Sequence, residues 1–241
     1  MSARQSDVLN GGVVLVAGAG GGAGPAVAER LAAVGATVVL ADNDQQRLDR
    51  VTDAVALAGG KAEGAVVDLL DETATRRWVS DAEQRHGRVD GLVHLVGGWR
   101  GGVHLAEADL ADWDLLHDLL IRTVQHTSRA AYEPLRRSPA GRYVLISSIQ
   151  ATHPTADNSC YAAAKAAAEA WTLSLADAFK GSAAAATIVV VKALLTHAMR
   201  AAKPDAKFAG YTDVADLAET VGGLWKGSTD EVNGERVWLA Q

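Results

Sequence analysis

The chain has one cysteine in 241 residues, Cys160, which excludes an internal disulfide and suits a reducing, cytoplasmic setting. That thiol adjoins Tyr161 and reads as a small packed side chain rather than a reactive one. No run of about 18 apolar residues occurs, so nothing is expected to span a membrane. The opening "MSARQSDVLNGG" lacks an apolar h-region, and no signal peptide is expected there. Excess positive charge is also lacking: a net charge of −6 supplies no electrostatic reason for a nucleic acid or an anionic membrane as partner. The seven histidines are scattered without ligand spacing, which argues against a bound metal. No proline-rich linker, charge block or low-complexity tract divides the chain, so one domain over residues 1–241 is expected. The hydrophobic share of 49% leaves ample material for its core.

What is present is an alternation. "GVVLVAG" is a short β-branched run ending at glycine and reads as a buried strand. A helical pattern follows from about Ala23 to Val34, closed by Gly35. Further strands are expected at "ATVVLAD", "KAEGAVVDL", "VDGLVHLVGG", "GRYVLISS", "ATIVVVKAL" and "GERVWLA". Amphipathic or charged helices separate them, including a long one from about Leu110 to Arg137. Strand and helix alternating through short connections build an α/β fold, a doubly wound parallel sheet of about seven strands with helices on both faces. In such sheets ligands sit beyond the carboxyl ends of the strands, where strand order reverses.

The candidate residues stand at those ends. "AGAGGGAGP" follows the first strand and contains Gly18-x-x-x-Gly22-x-Gly24. Glycines there let the backbone turn sharply and approach a pyrophosphate at the helix N-terminus. A run this rich in glycine also fits other spacings, such as Gly18-x-Gly20-x-x-Ala23. Asp42 closes the second strand, where a carboxylate accepts hydrogen bonds from ribose hydroxyls and repels a 2′-phosphate. No arginine directly follows it and Gly21 is not basic, which favours NAD(H) over NADP(H). Asp42 or Asn43 is equally placed to cap the next helix, and both roles are compatible. Asp68 is placed either to meet an adenine amino group or to enter the next helix through "DLLDE". Gly97 and Gly98 allow a cofactor close to the backbone, and Trp99 is a nicotinamide-side platform or a hydrophobic plug. Ser147 and Ser148 end the fifth strand. Tyr161 stands just inside the following alanine-rich helix, "SCYAAAKAAAEAW", with Lys165 one turn on and on the same face.

With Gly18, Gly22, Gly24, Asp42, Asp68, Ser148 and Tyr161-x-x-x-Lys165 in this order, the chain resembles the short-chain dehydrogenase/reductases along essentially its whole length. The resemblance implies a Rossmann-type oxidoreductase interconverting a carbonyl and an alcohol with a nicotinamide cofactor. It makes Tyr161 the proton donor or acceptor, has Lys165 hold the nicotinamide ribose and lower the phenol's pKa, and has Ser148 bond the substrate oxygen. Thr196 matches the position that binds the carboxamide. Bringing a tyrosine from its ordinary pKa near ~10 to about 7 takes roughly 4 kcal/mol of phenolate stabilisation, and nearby positive charge in a dry pocket is a source of it.

The departures are Ala17 for the usual threonine, His94-Leu95-Val96-Gly97 for Asn-Asn-Ala-Gly, Leu120 at the usual helix asparagine, and Val191-Lys192 for Pro-Gly. A C-terminal Gly-Gly is missing as well. Some of them, with the "GGW" turn, are similar to the dihydropteridine reductase branch, although that branch lacks the serine. Leu120, Val191 and Lys192 also motivate a cofactor-binding protein with little turnover. A small-molecule substrate is expected between the loops Trp99–His104, Ile149–Pro154 and Leu194–Ala201, against Trp99, Gln150, His153 and Leu194. Alanines at 162, 166 and 170 allow close helix approach, and a homodimer or homotetramer is expected.

Overall fold

A computed structural model of the chain describes residues 9–240. The reading of the opening stretch as free of a signal peptide rests in part on residues 1–8, which lie outside the described residues. The centre is made of short aliphatic and β-branched runs, which suit extended backbone covered on both faces. They form β1 (Val13–Ala17), β2 (Thr37–Asp42), β3 (Lys61–Val66), β4 (Gly91–His94), β5 (Arg142–Ser148) and β6 (Ala185–Val191). A two-stranded annex of β7 (Ala193–Leu195) and β8 (Tyr211–Asp213) precedes the last strand of the main sheet, β9 (Arg236–Trp238). The seven main strands are all parallel, in the order β3-β2-β1-β4-β5-β6-β9.

Side chains alternate across this sheet as a pleated strand requires. Val14 and Val16 of β1 enter one core, while Val13, Leu15 and Ala17 enter the other. The first core is closed by α1 (Gly24–Ala33), α2 (Gln45–Leu57) and α8 (Val214–Gly223). The second is closed by α3 (Glu72–His86), α5 (Thr123–Arg137) and α6 (Ser159–Ala178). The shorter helices α4 (Leu110–His117), α7 (His197–Ala202) and α9 (Thr229–Val232) lie between these elements in sequence, and α4 packs on α6. Among the described residues no helix is long and apolar enough to cross a membrane.

Four local details differ from the sequence expectations. The helix expected over Leu110–Arg137 is continuous in extent but contains a π turn at Asp118–Arg122 between α4 and α5. The run "ATIVVVKAL" is two strands, because the chain leaves the main sheet after Val191 and pairs Ala193–Leu195 with Tyr211–Asp213. Neither Asp42 nor Asn43 caps α2: Asp44 does, accepting from the Arg47 amide at 3.1 Å. Asp71 likewise caps α3, accepting from the Thr73 and Ala74 amides, so the cap within "DLLDE" is not Asp68. Such caps contribute about 1 kcal/mol each.

Candidate active site

β1 and β4 are neighbours at the sheet's centre, yet their following loops lead to opposite sides, so a crevice opens beyond their carboxyl ends. The glycine loop forms one wall. Gly18 has φ 78°, in the left-handed region, and a side chain there would meet the Val96 amide at 2.8 Å. Gly24 is tighter still: a Cβ would stand 1.8 Å from the Ala19 carbonyl oxygen. Gly22 faces Thr196, whose Cγ2 is 2.8 Å from where a side chain would begin. Thr196 also caps α7, its hydroxyl accepting from the Met199 amide at 3.2 Å.

Beyond this loop lies a cleft of about 290 Å³, lined among others by Gly18, Asp42, Asp68 and Gly97. Asp42 is buried, and its Oδ2 accepts from the Gly20 amide at 2.9 Å. That bond fixes the carboxylate at the cleft wall and leaves the second oxygen available to a hydroxyl. Asp68 turns one oxygen to the Leu70 amide at 2.9 Å. Arg47 lines the same cleft, a residue that sequence reasoning passed over because it stands inside α2 rather than next to Asp42. Its position three residues past the capping Asp44 was the available signal; its Nε is 3.3 Å from the Asp44 carboxylate. A narrow cleft, a wall that excludes side chains and a carboxylate at the second strand end fit an adenosine-type dinucleotide.

On the β5 side, three of the candidate groups converge. The Ser148 hydroxyl stands beside the Tyr161 phenol and favours its ionised form. The Lys165 ammonium is 6.0 Å from the Tyr161 ring centroid and donates to the Ile146 carbonyl at 2.8 Å. Burial pushes the Tyr161 phenol above its ordinary value, and the Ser148 hydroxyl opposes that. Burial pushes Lys165 down to about 8, while the nearby Glu169 carboxylate raises it. Burial thus moves the two groups apart, the phenol up and the ammonium down, and the phenol holds its proton while the ammonium gives its up more readily.

His94 and Leu120 form the floor. His94 is buried at the end of β4 between two threonines of α5, with Nδ1 3.1 Å from Thr127 Oγ1 and Nε2 3.2 Å from Thr123 Oγ1. Thr127 Oγ1 also meets the Tyr143 hydroxyl at 3.0 Å. The imidazole thereby ties β4 to the first turns of α5. Its signal in the sequence is the one ring-bearing polar residue inside "GLVHLV". Leu120 sits in the π turn, buried with Leu116, Ile121 and Ala164 against Tyr161. An apolar plug therefore stands under the phenol.

Burial, and secondarily the Lys165 ammonium, pushes His94 down to about 3. The unfolded chain takes up that proton near 6.5, so between pH 6.5 and 3 it binds more protons than the folded state. Stability should therefore fall with acidification across that window, by up to about 1.4 kcal/mol per pH unit from this group. Denaturant titrations at stepped pH should show the fall, and a shallower one for His94→Asn; equal slopes would remove the assignment.

The expected substrate-side residues are less gathered. Trp99 is 55% exposed and donates from Nε1 to Asn158 Oδ1 at 3.2 Å, so it plugs nothing. His153 is exposed and pairs with its neighbour Thr152. Gln150 is half-buried, and its amide donates to Ser148 Oγ at 3.3 Å. Leu194 lies in β7, half-buried. None of these four lines the cleft beside Asp42. Among the described residues, no three His, Cys, Asp or Glu side chains converge on a point that could hold a metal ion.

Comparison with known proteins agrees with this geometry. The family model described as short chain dehydrogenase matches residues 12–207. A short chain dehydrogenase of Pseudocercospora fijiensis is 32% identical over 180 residues, 74% of this chain and 58% of its own length. The short-chain reductase protein NovJ of Streptomyces niveus is 35% identical over 164 residues, 68% of this chain and 62% of its own length. The matched stretch thus spans about three-fifths of each of these relatives. Among solved structures, a short chain dehydrogenase from Burkholderia cenocepacia in complex with NADP superposes with a TM-score of 0.83 at 29% identity, covering 96% of this chain and 97% of that one.

Proposed function

Because the chain belongs to the short-chain dehydrogenase family, an oxidoreductase family that uses nicotinamide cofactors, we propose that it interconverts a carbonyl and an alcohol on a small molecule with NAD(H). The reading is supported most by one observation, the Ser148 hydroxyl and the Lys165 ammonium standing beside the Tyr161 phenol. In it, the cofactor supplies or accepts the hydride when bound. Gly18, Gly22, Gly24, Asp42, Asp68, Gly97 and Thr196 hold it, and Tyr161 and Lys165 face its ribose. Ser148 orients the substrate oxygen, and Tyr161 gives its proton to that oxygen in reduction or takes it back in oxidation. Trp99, Gln150, His153 and Leu194 surround the substrate. Assays of carbonyls with NADH and of alcohols with NAD⁺ test this; binding without turnover across such a panel would favour the little-turnover reading that the buried Leu120 motivates.

Cofactor choice rests on Asp42. Its carboxylate occupies the cleft wall, whereas Arg47, which lines the same cleft, is drawn to Asp44. NADH is therefore expected to bind at least ~10-fold more tightly than NADPH, a gap of ~1.4 kcal/mol. Fluorescence titration measures both, and Asp42→Ser should narrow the gap by removing the charge that repels a 2′-phosphate. Equal affinities in the unaltered protein would sink the role given to Asp42. The exposed Leu110, Leu115 and Trp171 on α4 and α6 suit a homodimer or homotetramer; light scattering should return about two or four times 25.1 kDa, and a mass near 25.1 kDa would exclude it.

A further inference from the structure

Behind the Tyr161–Lys165 pair lies a buried carboxylate that the proposed chemistry does not use. Glu169 is one turn past Lys165 on α6, 2% exposed and enclosed between three elements. Its Oε1 accepts from Ser147 Oγ of β5 at 2.6 Å, and its Oε2 accepts from Arg236 Nε of β9 at 2.7 Å. Tyr161, Lys165 and Glu169 therefore form a ladder at i, i+4 and i+8 on one helix face. Adjacent serines of one strand stand at its two ends, Ser148 beside Tyr161 and Ser147 bonded to Glu169. A carboxylate is rarely buried without cause, since desolvating it is costly unless it is paired.

We propose that Glu169 is a positioning residue: anchored by Ser147 and Arg236, it keeps the Lys165 side chain cationic and directed at the site. The proposal rests on the oxidoreductase reading for its purpose, but the charge coupling it names exists without turnover. The groups facing Lys165 are Tyr161 and Glu169 on its own helix and His94 from β4; those facing Glu169 are Lys165, Ser147 and Arg236. Burial lowers Lys165 and the Glu169 charge opposes that, the balance standing at about 8. His94 is neutral there and adds no opposing charge. Taking away the Glu169 charge should let Lys165 deprotonate at lower pH. Taking away Arg236, the counter-charge of Glu169, should have the reverse effect.

The test uses Glu169→Gln, which keeps the size and the bond to Ser147, and Arg236→Gln. Lys165 is titrated directly in the full chain by trace acetylation with acetic anhydride across pH, read by peptide mass spectrometry. Lys165's half-modification point should fall by at least about half a pH unit in Glu169→Gln and rise in Arg236→Gln. The high-pH limb of kcat/KM should follow in the same two directions. Opposite shifts support the proposal even if both variants melt earlier. Unshifted titration, or shifts of the same sign in both variants, overturns it and leaves Glu169 a structural link between α6 and β9. Should the unaltered protein turn over no carbonyl or alcohol, the oxidoreductase reading fails while the Lys165 titration still decides this one.

Discussion

Tyr161→Phe should lower turnover by ~10²–10⁴-fold, the range expected for loss of a positioned acid or base. NADH affinity should stay within about twofold, since the substitution removes one hydroxyl and leaves the cleft wall intact. In the unliganded site burial holds the phenol above its ordinary value, so it carries its proton at neutral pH. Such a group is ready as an acid, and carbonyl reduction is expected to run near neutrality. Alcohol oxidation needs the phenolate, so its rate should climb as pH rises. Ser148 beside the phenol favours that phenolate, and a cation 6.0 Å from the ring acts in the same direction through its charge. Steady-state rates with a fluorescence titration of NADH separate the two effects. Turnover retained in Tyr161→Phe would take the phenol out of the chemistry.

Gly24→Ala should damage the cofactor wall more than any other single methyl in the glycine loop. The added carbon would stand 1.8 Å from the Ala19 carbonyl oxygen, and both are backbone-fixed, so α1 or the loop must shift. Overpacking of this kind costs about 1–3 kcal/mol of stability. The displaced loop should also weaken NADH by at least ~10-fold. Gly223→Ala is the control: nothing lies within 4 Å of its side-chain position in α8. Alanine there should be neutral or stabilise by up to about 1 kcal/mol, as in any helix. Calorimetry and titration of both variants decide the matter, and unchanged NADH binding in Gly24→Ala would show that the loop does not form the wall.

Much of the site was legible because each candidate sits at the end of a strongly patterned element. Aliphatic runs located the seven main strands, and the residues at or just past their carboxyl ends, Gly18, Asp42, Gly97 and Ser148, stood out for that reason. Asp68 lies two residues past its strand, within the usual error of a strand boundary. Thr196 directly follows β7, and the short pairing of β7 with β8 was not visible, since three-residue strands carry no period. Arg47, His94 and Glu169 were missed for one reason. Each is a polar residue inside a helix or strand, and local pattern does not say which neighbour it will meet.

The sequence by itself determined the order of strands and helices, and hence a parallel sheet whose carboxyl edge carries the glycine loop, Asp42 and Ser148. These follow from local preferences: alternation and length for strands, glycine for the turn, helical spacing for Tyr161 and Lys165. The tertiary structure alone decided which groups touch. It turned Asp42 onto the Gly20 amide, brought Arg47 to the same cleft, and put neutral His94 between Thr123 and Thr127. It also set Glu169 between Ser147 and Arg236, 67 residues further along the chain. Those contacts join segments far apart in the chain, and their strength comes from shared burial, which no local stretch of sequence contains.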